Sequence, residues 1–496
     1  MTLNYKIIVH IMGLLLLCNG GFMGLSAGIS AIYKDGATLE IGMAALVTLA
    51  AGAMAMLSTK GHKKEVKRKE GYLIVTFGWI VMSISGVLPY LFTDSIPSFT
   101  NAFFETVSGY TTTGATILND IEILPEGVLF WRSLTHWIGG MGIIVLAIAI
   151  LPILGIGGMQ LFSAESPGPS ADKLHPRITD TAKRLWYIYV GYTIAETILL
   201  QLAGMSFFDA INHSLATLST GGFSTKNASL AYWNNDPLIQ YIVILFMFLA
   251  GSNFVLSYFA FKGKIQRMLK DEEFKFYTGF VVVFTLIAAV TVYLKANVPV
   301  SDYHPMVLGE AESAFRHTLF QIISVITTTG FVTADFTSWT PFLTVFFFGL
   351  MFLGGCAGST SGGIKVMRHL LIIKNGLLEF KRTLHVNAII PVRYNNKMVP
   401  EKIVYNIIAF LVLYMLLFII GALVLSFLGL DFITAIGGAA TSLGNVGPGL
   451  GSLNPLANFD GLPALGKWWT AFLMLAGRLE LFTVLIILTP YFWKKI

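Results

Sequence analysis

Apolar runs of bilayer length recur from one end of this chain to the other. A transmembrane helix needs about 20 largely apolar residues. Ten segments approach or exceed that: 7–33, 41–57, 72–92, 131–154, 185–202, 238–261, 276–294, 342–373 (interrupted), 403–428 and 468–493. Only 12% of the 496 residues are charged, against about 25% in soluble domains. Such a chain reads as an all-α polytopic membrane protein. The first run follows Lys6 but is far longer than the ~7–15-residue core of a signal peptide, so it reads as a retained helix. The only cysteines, Cys18 and Cys356, lie in apolar segments. They offer neither a disulfide framework nor a metal-ligand cluster.

The basic residues set the expected topology. Residues 60–69, 173–184, 262–275 and 365–402, with Lys6, Lys494 and Lys495, hold 26 of the 33 lysines and arginines. Placing these stretches in the cytoplasm satisfies the positive-inside rule at every loop and puts both termini inside. The net charge of +6 is then a topology signal. No nucleic-acid motif accompanies it. The opposite loops carry Asp35, Glu40, Asp94, Asp120, Glu122, Glu126, Asp236, Asp302, Glu310, Glu312, Asp335 and Asp460. They form either a solvated face or one that concentrates cations.

Four polar or helix-breaking residues, Thr-Thr-Thr-Gly, occur twice, at 111–114 and 327–330. Each copy follows a short segment lying between long apolar runs. Two related units are STGGFST (219–225) after FFDAINHSLATL, and SLGNVGPG (442–449) after LDFITAIGGAAT. Gly114, Gly222, Gly330 and Gly444 are spaced by 108, 108 and 114 residues. Internal periodicity of this kind marks a repeat architecture. The short helices are too short to cross. They are expected to start near Ser98, Asp209, Glu310 and Asp431 as N-caps and to aim their negative C-terminal dipoles at the membrane centre. Non-helical backbone at that depth is tolerated only inside protein or along water. Glycine permits the dihedrals needed to turn carbonyls toward a pore, and rings of carbonyls can replace the hydration shell of potassium.

These stretches, with HWIGGMGI (136–143), GGCAGSTSGGIK (354–365) and AGRLELF (476–482), resemble the TrkH branch of the Trk/Ktr/HKT potassium transporter superfamily over essentially the whole length. The resemblance implies two N-terminal helices plus four pseudo-symmetric helix–pore helix–helix repeats around a central pore. The expected units are residues 1–70 (the extra pair), 71–183, 184–274, 275–402 and 403–496. The implied potassium filter is Thr112, Thr113 and Gly114; Thr220, Gly221 and Gly222; Thr328, Thr329 and Gly330; and Leu443, Gly444 and Asn445. The fourth wall departs from the others, so only approximate four-fold symmetry is expected. The resemblance further implies potassium as the transported ion with no tightly bound cofactor, a homodimer in the bacterial inner membrane, and a cytoplasmic nucleotide-binding regulatory subunit of the TrkA type.

The span at 342–373 must unwind where Gly354, Gly355, Gly358, Gly362 and Gly363 surround Ser359, Thr360 and Ser361, because each glycine costs up to ~1 kcal/mol of helix stability. Its place is either the pore below the filter or a helix-packing face. The family pattern implies an intramembrane loop that obstructs the pore and moves on gating. Arg478 lies within the last span, where a charge costs at least ~2.5–3.5 kcal/mol and needs a partner or cavity. It either ties loop carbonyls together or stands as a fixed charge beside the ion path. Glu196 and Asn253 are expected to make interhelical hydrogen bonds, Glu105 to brace the filter from behind, and the glycines of 139–142 to allow close packing there. A channel or a carrier coupled to sodium or protons would both fit. A membrane-embedded enzyme would need a nucleophile–base pair, a metal cluster or paired haem histidines. His136 and His213 lack a convincing partner pattern for that, and no nucleotide-binding motif is visible.

Overall fold

The computed structural model describes residues 3–61, 66–142, 178–295 and 307–494. Asp302, residues 173–177 of the basic stretch 173–184 and the second half of the 131–154 run lie outside them. Helices account for nearly all the regular structure. Two long helices come first: α1 (Tyr5–Tyr33) and α2 (Thr38–Ser58). They cross closely because Gly13 and Gly52 face each other; a methyl group on either would lie 2.8 Å from the other's carbonyl oxygen, the small-residue contact typical of membrane helices.

Then a helix, a short helix and a second helix succeed one another four times. The first unit is α3 (Arg68–Gly86), α4 (Phe99–Tyr110) and α5 (Glu126–Trp137). The second is α6 (Ile178–Leu202), α7 (Phe207–Leu218) and the pair α8 (Pro237–Ala250) and α9 (Phe254–Phe261). The third is α10 (Glu272–Lys295), α11 (Glu310–Ile326), α12 (Pro341–Leu350) and α13 (Val366–Leu384). The fourth is α14 (Glu401–Phe427), α15 (Phe432–Gly444), α16 (Ala464–Arg478) and α17 (Phe482–Leu488). A two-stranded hairpin, β1 (Arg393–Tyr394) and β2 (Lys397–Met398), interrupts the helical pattern. Its turn residues Asn395 and Asn396 both have positive φ, 47° and 62°, which a two-residue type I′ turn requires.

Among the described residues five helices are long and apolar enough to cross a membrane, including α1, α2, α10 and α14. Two of the runs expected as continuous spans are broken instead, the α8–α9 pair bending by 107° and the α16–α17 pair by 117°. The chain between α12 and α13 is not helical, at the interruption expected within 342–373. The first break falls at Gly251-Ser252-Asn253, where Asn253 caps α9 by accepting a hydrogen bond from Val255 N at 2.8 Å. Asn253 therefore serves its own chain locally and not, as expected, a neighbouring helix. The last break follows Arg478, with Glu480 and Leu481 at φ 54° and 57°.

Both chain ends meet at one end of the molecule. Asn4 N donates to Glu70 Oε1 (3.1 Å), and Lys69 Nζ donates to the carbonyls of Phe492 (2.5 Å) and Lys494 (3.1 Å). The N-terminal pair is fastened to the first unit through buried Asn19, which donates to Ser85 Oγ (2.8 Å) and accepts from Tyr110 Oη (2.6 Å).

The short helices begin in four different ways. Ser98 stands at the first start without a side-chain cap bond. At the second, Ser206 is the cap and accepts from Asp209 N at 3.0 Å, so Asp209 is the third helical residue and not the cap itself. Gly309, not Glu310, precedes the third. Asp431 caps the fourth, accepting from Thr434 N at 3.2 Å.

Behind the first short helix lies a buried ion pair. Arg132 Nε donates to Glu105 Oε1 at 2.7 Å. Glu105 also accepts from Thr116 Oγ1 (2.9 Å) and Ile117 N (3.0 Å). Arg132 reaches the second unit as well, donating to Ser224 O (2.9 Å) and lying 3.6 Å over the Phe223 ring. Removing one partner of a buried pair costs roughly 3–5 kcal/mol because the other charge is left uncompensated. Arg132→Ala should therefore lower the thermal midpoint of the detergent-solubilised protein markedly. The Glu105→Ala/Arg132→Ala double variant should lose less than the sum of the two single ones.

Candidate functional site: a ring of four walls and the loop against it

Each short helix runs directly into a non-helical stretch with one repeating conformation. Thr112, Thr220, Thr328 and Asn445 have φ of 52°, 54°, 55° and 54°. Two residues later, Gly114, Gly222, Gly330 and Gly447 have φ of 80°, 82°, 80° and 102°. The hydrogen bonds repeat too. The amides of Thr113, Gly221, Thr329 and Val446 donate to the carbonyls of Ser108, Ala216, Ser324 and Thr441, each five residues back, at 2.8–3.0 Å. Each helix end is thus closed by its own chain.

The four stretches interlock into a closed ring. A methyl group on Gly114 would lie 2.2 Å from Gly221 O, one on Gly222 2.0 Å from Thr329 O, one on Gly330 2.2 Å from Val446 O, and one on Gly447 2.6 Å from Thr113 O. Each wall's glycine meets a carbonyl of the wall that follows it, in the order one, two, three, four, one. A side chain at any of these four positions would collide with backbone. The same four glycines line a single cavity of about 190 Å³.

This geometry corrects the fourth wall. Leu443 and Gly444 lie in the last turn of α15. The residue with the conformation and contact of Gly114, Gly222 and Gly330 is Gly447, so the true spacings are 108, 108 and 117 residues. Asn445 does belong to the ring, at the position of Thr112, Thr220 and Thr328. A sequence signal for this register exists. Phe99, Phe207, Phe315 and Phe432 each stand fifteen residues ahead of the ring glycine of their unit, and Asn tolerates the left-handed conformation better than most residues.

The repeated Thr-Thr-Thr-Gly now has a structural reason. In walls one and three the outer threonines bond to each other, Thr111 to Thr113 at 2.8 Å and Thr327 to Thr329 at 2.7 Å. Wall two has Ser219 and Gly221 there, and wall four Gly444 and Val446, so neither can make that clamp. Wall four compensates across the ring, where Asn445 Nδ2 donates to Thr113 Oγ1 (3.0 Å) and Met474 O (2.8 Å). Behind the ring, Gly139 and Gly140 of that glycine-rich stretch do permit close approach. A methyl group on Gly139 would lie 1.9 Å from Tyr110 O, and one on Gly140 2.8 Å from Ser219 Cα. His136 stacks on Phe223 at 3.9 Å.

The stretch between α12 and α13 lies against this ring. Thr360 Oγ1 donates to Leu218 O, the last residue of α7, at 2.9 Å. Gly362 N donates to Thr328 Oγ1 of wall three at 2.7 Å. A methyl group on Gly362 would lie 2.8 Å from Gly444 O beside wall four. Within the stretch, Gly354 N donates to Ile364 O (2.9 Å), Gly355 N to Ser361 Oγ (2.9 Å), and Ser359 Oγ to Cys356 O (2.6 Å). Gly358 and Gly363 take positive φ, 75° and 64°.

Arg478 joins this loop to the first unit. Its Nη1 donates to Thr360 O (2.7 Å), and its Nη2 to Gly139 O (2.7 Å) and Gly140 O (2.9 Å). Glu480 is not its partner; it pairs with Arg368, which also lies 3.9 Å over the Phe410 ring. Glu196 is fully buried on α6, with the Thr217 side chain of the neighbouring α7 facing its carboxyl group.

A family model described as a cation transport protein, TrkH, matches residues 39–494. The chain belongs to this family. It is 41% identical over 496 residues to the Trk system potassium uptake protein TrkH of Escherichia coli K12, covering 99% of this chain and all of that one. It is 34% identical to the Escherichia coli K12 protein TrkG, again over the full length of both. A crystal structure of the potassium transporter TrkH from Vibrio parahaemolyticus superposes with a TM-score of 0.87 at 39% identity, covering 99% of this chain and all of that one.

The ring's hydrogen bonds can be tested without assaying transport. Thr113→Val removes the hydroxyl that meets both Thr111 and Asn445. A loss of about 1–3 kcal/mol is expected from leaving buried groups unsatisfied, visible as a lower thermal midpoint. Thr116→Val, outside the ring, should cost less because Ile117 N and Arg132 still satisfy Glu105.

Proposed function

We propose that this chain conducts potassium across the bacterial inner membrane through the ring of Gly114, Gly222, Gly330 and Gly447. The carrying observation is the closed interlock of four walls, each alternating a left-handed residue with an ordinary one before its glycine. Such backbone presents carbonyl oxygens in rings, and rings of carbonyls replace the hydration shell of potassium. Four short helices end at the ring, adding the negative ends of their dipoles. The selectivity layer is Thr112, Thr113 and Gly114; Thr220, Gly221 and Gly222; Thr328, Thr329 and Gly330; and Asn445, Val446 and Gly447. Leu443 and Gly444 serve as the helix end that presents the fourth wall.

In this reading the loop containing Gly354, Gly355, Gly358, Ser359, Thr360, Ser361, Gly362 and Gly363 is the gate, held against the ring in a closed arrangement. Arg478 pins the loop through Thr360 O and places a positive charge beside the ion path. Both roles suggested by the sequence are then served by one side chain. The end of the molecule carrying the termini and the basic stretches faces the cytoplasm. The chain acts as a homodimer and is controlled by a separate nucleotide-binding subunit, in keeping with relatives named for a Trk system.

Flux into vesicles reconstituted with the full chain tests both parts. Gly330→Ser and Gly447→Ser should each reduce the preference for potassium and rubidium over sodium. Unchanged selectivity in Gly447→Ser would remove the fourth wall as drawn. Deleting residues 358–362 should raise flux, as should Arg478→Ala, with Arg478→Lys between it and the wild type because the charge remains while the bidentate contact is lost. Lower flux in a correctly folded deletion would contradict the gate. Imposed sodium and proton gradients in the same vesicles separate conduction from coupled transport.

A further inference from the structure

Asp271, Glu272 and Glu273 are consecutive at the start of α10, yet they serve two different partners. Asp271 and Glu272 hold the hairpin turn. Asn395 Nδ2 donates to Asp271 Oδ2 (2.7 Å), Asn395 N donates to Glu272 Oε2 (3.1 Å), and Glu272 N donates back to Asn395 Oδ1 (3.0 Å). Lys374 of α13 closes the group, donating to Glu272 Oε2 (2.6 Å) and to Arg393 O (3.0 Å). Glu273 turns the other way. It is buried, and its Oε1 accepts from Ala357 N of the loop at 2.6 Å. A helix rotates by about 100° per residue, so adjacent residues naturally face different neighbours. The first turn of α10 is thus one rigid peptide unit with the hairpin on one side and the loop on the other.

We propose that Glu273 is a positioning residue for the loop, and that the hairpin at 393–398 controls the loop through it. Displacing the hairpin shifts the first turn of α10, and Glu273 carries that shift to Ala357. The hairpin is an apt point of control because Val392 and Val399, at its base, pack in one cluster with Met367 and Leu371 of α13, the helix that leaves the loop. This inference rests on the gating reading above only for its consequence on flux. The mechanical link stands on the hydrogen bonds alone.

The chain carries its own reporter. Cys356 lies beside Ala357, is fully buried, and its amide donates to Gly251 O at 2.8 Å. Cys18 is the only other cysteine, so Cys18→Ser leaves a single thiol in the loop. The experiment measures the rate at which a membrane-permeant maleimide labels Cys356 in the full chain in vesicles, alongside rubidium flux. Glu272→Ala with Asn395→Ala should raise the labelling rate about tenfold, the scale of losing a buried hydrogen bond. Glu273→Ala should raise it equally. Glu273→Gln, which keeps the accepting oxygen, should stay at the slow rate. Combining the hairpin variant with Glu273→Ala should add nothing. Where the hairpin pair fails to elute as the wild type does, Lys374→Ala is the substitute, since it loosens the same contacts from one side chain.

The link is overturned if releasing the hairpin leaves Cys356 at the wild-type rate, if the two effects multiply, or if Glu273→Gln behaves as Glu273→Ala. A labelling change without a flux change supports the link and overturns the gating reading. A flux change without a labelling change overturns the link.

Discussion

The rest of the molecule depends on one arrangement, the pressing of each wall's carbonyl against the glycine of the wall before it. Four non-helical stretches meet deep in a chain whose surroundings offer no water to unsatisfied backbone. Their amides are closed locally, each onto a carbonyl five residues back. That leaves the carbonyls of Thr113, Gly221, Thr329 and Val446 at the contacts between walls. No residue with a Cβ could stand at Gly114, Gly222, Gly330 or Gly447 without separating the walls. The short helices, their long flanking helices and the buried polar side chains behind them all act to hold those four strands in register.

The bracing differs from wall to wall, which is why the symmetry is approximate. Wall one is held through Glu105 and Arg132. Wall two uses His213, bonded to Ser224 Oγ at 2.9 Å, and Asp209, which accepts from Thr225 Oγ1 at 2.6 Å. Wall three uses His317, 3.1 Å from Thr333 Oγ1, with Asn234 Nδ2 donating to Thr333 O at 3.0 Å. Wall four returns through Ser452, whose amide donates to Thr434 Oγ1 at 2.9 Å. Each solves the same problem, fixing the strand just beyond the glycine, with a different side-chain set. His136 and His213 are thereby accounted for as packing and bracing groups.

The sequence made the repeat and its glycines legible because composition changes abruptly there, from apolar runs to threonine, serine and glycine. Gly114 and Gly330 close the same Thr-Thr-Thr-Gly, and Gly222 closes the near variant Ser-Thr-Gly-Gly at the same spacing of 108. Gly447 was missed because wall four conserves the conformation and not the letters. Asn445 replaces a threonine, and matching on Gly-Asn alone shifts the register by three. The count of fifteen from Phe432 retains the register because the stretch from that phenylalanine to the ring glycine has one length in all four units, even though α11 begins earlier, at Glu310. The bends at 251–253 and 479–481 were illegible for another reason. Hydropathy sums over a window and does not register that one asparagine or one ion pair can terminate a helix inside an otherwise apolar run.

Those unforeseen breaks explain how the loop can exist at all. An unwound stretch needs partners for its amides and carbonyls, and intact helices have none to spare. The bend between α8 and α9 frees Gly251 O and Phe254 N. The loop takes both, through Cys356 N (2.8 Å) and Gly358 O (3.2 Å). The end of α16 at Arg478 likewise brings the guanidinium to Thr360 O, while Met474 O of the same helix receives Asn445 Nδ2. The loop's backbone is therefore satisfied by neighbours that were broken in the right places. The loop is also seated by side chains, with Cys356 and Ile364 buried in apolar clusters, and by glycine contacts, Gly362 against Gly444 O and Gly355 against Gly251 O. In the gating reading proposed above, moving the loop means exchanging those contacts together with the hydrogen bonds to the broken helix ends.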